Sequence, residues 1–187
     1  MRSPFYFIAR PLKGKRYDNT KEVAGIELIV STSEEDHKFS NRHAEVVELP
    51  LGYTGPVAVG DTLLVHHNTF KFYNDMKGRQ KSGKSFFKDD LFFIESDQFF
   101  MYKHDGEWHS YDKYCFIKPI AVQDSYIKKP ISEEPLIGIV KYSNEYLMSK
   151  GIFPNDKVCF KPDSEYEFIV DGEKLYRMYD HQIVIKL

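Results

Sequence analysis

Apolar residues in this chain come in short bursts separated by polar, turn-forming stretches, and the three-to-four-residue spacing of a helical face is nearly absent. Phe5–Arg10 forms one burst. A long stretch, 13–43, then holds charged and small polar residues around a single apolar island, Ile26-Glu27-Leu28-Ile29-Val30. Ala44–Leu49 follows, then a turn-rich segment through Pro50, Gly52, Gly55 and Pro56. Val59-Gly60-Asp61 introduces the strand Thr62–Val65. Residues 68–90 are polar and basic. Leu91–Ile94 and Phe99–Tyr102, separated by the turn Glu95-Ser96-Asp97, close the first half as two short strands.

The second half repeats this order. Cys115–Ile120 echoes Phe7–Leu12, and Leu136–Val140 echoes Arg42–Val47. Pro154–Phe160 echoes Val59–Val65, and Leu175–Ile185 echoes Phe92–Tyr102. Matching elements in the same order mark a duplicated unit. Asp105-Gly106 predicts a hairpin turn in the joining segment Lys103–Tyr114, which lacks the composition of a flexible linker. The expected units are 1–108 and 109–187. Short strands closed by tight turns predict an all-β protein of two tandem small barrels, an arrangement that removes exposed sheet edges.

Phe and Tyr, 15 and 13 in number, strengthen the strand reading, because aromatic side chains suit a half-buried pleated surface. A net charge of −2 provides no basic face for displacing counterions from a nucleic acid. Cys115 and Cys159 sit in apolar runs without ligand-like spacing and read as reduced core thiols. With no signal-peptide pattern and no apolar run of about 20 residues, the expectation is a cytoplasmic protein with no membrane partner.

The order of these features resembles the GroES-like co-chaperonin family, over 5–103 and again over about 115–187. Three segments carry the likeness. Ala24-Gly25-Ile26-Glu27-Leu28 is similar to that family's Gly-Gly-Ile-Val-Leu mobile-loop motif; the others are Val59-Gly60-Asp61 and Phe92-Phe93-Ile94-Glu95-Ser96-Asp97-Gln98-Phe99. The resemblance implies two GroES-like barrels and a homo-oligomeric ring that caps an ATP-driven chaperonin ring and so assists client folding indirectly. It implies a mobile loop at about 13–43, with Gly25, Ile26, Glu27 and Leu28 as the chaperonin-binding residues, and neither enzymatic activity nor a cofactor. In an extended segment, residues two apart point the same way, so Ile26 and Leu28 could enter one apolar groove while Glu27 points away. A short strand buried in the barrel is the competing reading of this island. The corresponding connection in the second unit, 122–135, is shorter and lacks a Gly-Ile-Xaa-Leu sequence. A structural or assembly protein, for instance of a virus particle, is the alternative function.

Three other patterns bear on chemistry. Gly78-Arg79-Gln80-Lys81-Ser82-Gly83-Lys84-Ser85 matches the phosphate-binding P-loop letter for letter, but that loop requires a strand before it and a helix after it. The sequel Phe86–Ile94 predicts a turn and a strand, hence a solvated basic hairpin tip. His66-His67 on a strand would point to opposite faces, and His104 and His109 have no clustered partners, so no metal site is expected. Asp105, Glu107 and Asp112 near Trp108 read as loop charge, and no Ser/His/Asp or Cys/His arrangement is readable.

Overall fold

The computed structural model describes residues 2–17, 20–23, 26–29, 40–122 and 133–187, with 20–23 and 26–29 described as backbone. The chain divides into two compact units, Met1–Glu107 and Trp108–Leu187. The first contains β1 (Phe7–Pro11), β2 (Thr20–Val23), β3 (Ile26–Ile29), β4 (His43–Glu48), β5 (Thr62–Val65), β6 (Phe72–Asn74), β7 (Gln80–Ser82), β8 (Phe86–Lys88), β9 (Leu91–Ile94) and β10 (Phe99–His104). The unit boundary falls in β11 (Glu107–Ser110). The second contains β12 (Tyr114–Ala121), β13 (Glu133–Tyr142), helix α1 (Glu145–Ser149), β14 (Lys157–Phe160), β15 (Tyr166–Val170), β16 (Glu173–Tyr179) and β17 (Ile183–Lys186).

The large sheets run β11-β10-β5-β4-β1-β9-β8 and β15-β16-β12-β13-β14-β17. Both are open, which corrects the expectation of closed barrels. Closure would require the terminal strands of each order to pair, and they share no ladder among the described residues. The all-β expectation holds, with one short addition. Asn144 caps α1 by accepting the Leu147 N–H on its side-chain oxygen at 2.9 Å, and its amide nitrogen donates to the Asp112 carbonyl at 3.0 Å.

The two sheets share one wiring. β1 lies between β4 and β9 as β12 lies between β13 and β16, and β4-β5-β10 corresponds to β13-β14-β17. The likeness extends to register. Ile8 faces Glu48 and Ala9 faces Val46 across a bulge, while Phe116 faces Tyr142 and Ile117 faces Val140 across another. On the other side Phe7, Ile8 and Ala9 face Ile94, Phe93 and Phe92, as Cys115, Phe116 and Ile117 face Met178, Arg177 and Tyr176. Phe92 thus corresponds to Tyr176, one residue along from the sequence match, because register is set by the bulge and the pleat, not by the best run of similar letters.

The same corner closes both units. The Val46 N–H donates to the Asp61 carbonyl at 2.9 Å and the Gly60 N–H to the Val46 carbonyl at 2.8 Å. In the second unit Val140 donates to Asp156 at 2.9 Å and Asn155 to Val140 at 2.7 Å. Each aspartate also accepts the N–H three residues back, Ala58 or Phe153, at 2.7 Å. Gly60 and Asn155 have φ of 91° and 74°, in the left-handed region that glycine and asparagine tolerate best. Each carboxylate also meets a cation: His104 Nδ1 lies 2.8 Å from Asp61, and Lys186 Nζ 2.6 Å from Asp156. A second corner is repeated where Gln98 and Gln182 accept the N–H groups of Glu95 and Tyr179 at 3.1 and 2.8 Å.

Cores form on the inward rows. Phe7, Ala9, Val46, Leu63, Val65, Phe92 and Ile94 are buried in the first unit. Cys115, Ile117, Val140, Leu147, Val158, Phe160 and Met178 cluster in the second. Burial pushes the Cys115 thiol up to about 12, so it stays protonated and unreactive.

Two outcomes test this fold. A Cβ on Gly138 would lie 2.3 Å from Ile117 Cγ2 and 2.8 Å from the Lys118 carbonyl oxygen. Gly138→Ala should therefore cost roughly 1–3 kcal/mol by overpacking, read as a lower urea midpoint. The second concerns His104, whose pKa is raised first by its hydrogen bond to Asp61, then by the charges of Asp61 and Asp105. A raised folded-state pKa stabilises the fold fully below the unfolded value of about 6.5 and loses that effect as pH rises through the folded value. The urea-midpoint difference between wild type and His104→Gln should accordingly shrink between about pH 6 and pH 8. A pH-independent difference would show that the pair carries no linkage.

Candidate functional site

The long polar excursion of the first unit leaves and re-enters the fold through a built neck. After β1 the chain turns through Leu12–Gly14, with Lys13 and Gly14 at φ of 61° and 67°. Tyr17 bridges Ser40, and the Asn41 N–H donates to the Arg16 carbonyl at 3.0 Å. Asn41 is buried, and its amide nitrogen donates to the Leu12 and Lys15 carbonyls at 3.0 and 2.6 Å. Its side-chain oxygen accepts the His43 N–H at 2.9 Å. One side chain thus ties the two ends of the expected loop, 13–43, to each other.

Arg16 locks the neck to the body. Its guanidinium carbon lies 4.1, 4.8 and 5.0 Å from the ring centroids of Phe72, Phe92 and Phe86, and Nη1 donates to Ser82 Oγ at 2.9 Å. Burial lowers its pKa from the ordinary value, yet a guanidinium stays charged in proteins. Tyr17 adds a second tie, its hydroxyl accepting the Phe72 N–H at 2.9 Å. Phe72 and Ser82 pair across the β6–β7 hairpin, so neck and hairpin form one assembly. Sequence reading missed Arg16, Tyr17 and Asn41. The polar-aromatic mixture of 15–17 and 70–73 was the only signal, and partners so far apart become visible only once the chain is folded.

Beyond the neck, β2 and β3 form a two-stranded sheet of their own. Ile26 faces Val23, Glu27 faces Glu22, and Leu28 faces Lys21. Of the four residues expected to bind a chaperonin, Ile26, Glu27 and Leu28 thus lie on β3, while Gly25 lies outside the described residues. Ile26–Ile29 of the island form a strand, paired with β2 in a sheet separate from the large one, and Val30 lies outside the described residues. In the second unit the β12–β13 ladder reaches Ala121 opposite Glu133, so the corresponding connection is 122–132, of which 123–132 lie outside the described residues.

The remaining candidates fall in other places. The P-loop-like letters span the β6–β7 turn, β7, a two-residue turn at Lys84-Ser85 and then β8, so no helix follows the Lys-Ser pair. His66 and His67 sit past the end of β5, in a turn, with ring centroids 4.1 Å apart. This corrects the expectation of opposite faces, since strand alternation ends with the strand. Among the described residues no group of three or more His, Cys, Asp or Glu could hold a metal. Asp105-Gly106 forms the expected hairpin turn, with φ of 49° and 86°. Trp108 Nε1 donates to Asp171 at 3.0 Å, not to the nearby acids. Among the described residues no helix is long and apolar enough to cross a membrane.

Set against known proteins, the chain matches no family model and no curated protein.

Arg16→Lys tests the neck. It keeps a charge but loses the flat stack and the fork that reaches Ser82, so the first unit should lose roughly 1–2 kcal/mol while the second is unaffected. Urea unfolding followed by amide exchange in each unit checks this, and equal losses in both units would contradict a local clamp.

Proposed function

We propose that this protein is a co-chaperonin-like capping protein, which docks on a chaperonin ring through the β2–β3 arm of its first unit. The observation that carries this reading is an arm bearing Ile26-Glu27-Leu28, held in a sheet separate from the large one and pinned at its neck by Asn41 and Arg16. Apolar residues on an extended segment can enter a groove on a partner, and the ties made by Asn41 and Arg16 anchor the chain on either side of the arm. The order of motifs that resembles the GroES-like family adds support, as does the wiring shared by the two units.

The energetics require several copies. A large apolar side chain contributes about 1.5–3 kcal/mol on burial before ordering costs, so two such residues bind weakly. A ring presenting several arms raises the effective concentration of each after the first has docked. Homo-oligomerisation is therefore part of the proposal. The second unit is assigned no docking arm and serves as wall or spacer.

Ile26→Ser/Leu28→Ser is the decisive variant. Ring binding in the presence of ATP and the response of chaperonin ATPase should fall at least about tenfold, with an unchanged circular dichroism spectrum. Unchanged binding in the double variant would remove this mechanism. Wild-type protein that binds no chaperonin but co-assembles with another partner would favour the structural or assembly role.

A further inference from the structure

The first unit contains a cavity of about 790 Å³ that shares Phe72 with the neck but is not lined by Arg16, Tyr17 or Asn41. That volume lies in the range of small-molecule sites, about 300–1,000 Å³. Its walls come from the loop after β5 with the start of β6, the turn between β7 and β8, and the turn between β9 and β10.

We infer that this cavity binds a phosphomonoester carrying a flat ring, the chemistry of a nucleoside monophosphate. The phosphate end is set by the Lys84-Ser85 turn. This turn is closed by the Phe86 N–H donating to the Gly83 carbonyl at 3.1 Å, and the Gly83 N–H donates to the Lys71 carbonyl at 3.2 Å, holding it against the opposite wall. Lys84 forms no ion pair and the Lys84 and Ser85 N–H groups donate to no group among the described residues, so an ammonium, two amides and a hydroxyl remain for an anion.

A second observation points to a missing partner. Thr69 lines the cavity, is 2% exposed, and its hydroxyl has no hydrogen-bond partner. A buried hydroxyl left unpaired is costly, and rotation of the Thr69 side chain toward the cavity would let a ligand oxygen satisfy it. The ring end is set by Tyr73, whose half-exposed side chain offers a stacking face. Asp97 on the third wall repels an anion and accepts from sugar hydroxyls, which orients the phosphate toward Lys84. The local field agrees with this polarity. Lys71 and Lys84 line the cavity against the single acid Asp97.

This site differs from a P-loop, which presents its phosphates to a helix N-terminus; here two turns between unpaired strands and a loop form the cradle. It is also independent of chaperonin docking. Isothermal titration of the full chain with AMP, with adenosine and with inorganic phosphate separates ring from anion. The expected result is saturable AMP binding, with each fragment at least about tenfold weaker. Lys84→Ala and Thr69→Val should each weaken AMP binding about tenfold, with thermal midpoints near wild type, while Lys88→Ala, outside the cavity, should leave it unchanged. No saturable AMP binding by the wild type would overturn the inference, as would wild-type affinity in Lys84→Ala and Thr69→Val.

Discussion

Each unit depends on the exchange between a buried valine and the turn that enters the next strand. Val46 and Val140 use both backbone groups on that turn, taking Asp61 or Asp156 as acceptor and Gly60 or Asn155 as donor. The aspartate then satisfies a further N–H of the turn with its side chain. Valine burial and turn geometry are thereby one constraint. If the turn opened, two backbone groups would be stranded beside a fully buried side chain, at a cost of roughly 2–6 kcal/mol, a sizeable part of the net stability of a small domain. From this corner follow the register of β4 on β5 and of β13 on β14, and the placement of β10 and β17 beyond them.

With the register fixed, the inward rows fill with aromatic and β-branched side chains, and among the described residues the units differ in their connections and in the edge strand β11, which has no counterpart beyond β17. The first unit spends its long connection on a clamped arm and its basic segment on the β6–β7 hairpin. The second places α1, capped by Asn144, between β13 and β14. Duplication of a sheet followed by divergence of its loops is a common route to new binding surfaces, because loops can change without disturbing the core. The neck shows how the two kinds of connection are joined. Arg16 belongs to the base of the arm, yet its stacking partner Phe72 and its hydrogen-bond partner Ser82 belong to the hairpin.

The arm and the cavity make different demands on the same unit. Chaperonin docking through the arm, as proposed, needs an adaptable segment and gains strength from copy number. A small-ligand site needs fixed walls, and the cavity takes them from turns tied by backbone hydrogen bonds, including Gly83 to Lys71. Thr69 and Asn41 illustrate the contrast. Both are buried polar residues, but every hydrogen bond of Asn41 described above goes to the protein's own backbone, whereas the Thr69 hydroxyl has no partner.

The amino-acid pattern alone determined the all-β class, the repeated order of strands, the Gly60-Asp61 and Asp105-Gly106 turns and the absence of a helix after Lys84-Ser85. These are local properties: alternation, turn propensity and spacing act over a few residues and are written in consecutive letters. Tertiary structure decided the rest. Whether the sheets close depends on terminal strands distant in the chain, and they stay open. The offset that aligns Phe92 with Tyr176 depends on a bulge between Ile8 and Ala9 that no composition marks. Arg16 gains its role from rings more than fifty residues away, and Thr69 becomes notable only because the folded chain buries it beside Lys84 and Ser85. Such features rest on long-range contacts, and these exist only after the chain has met itself.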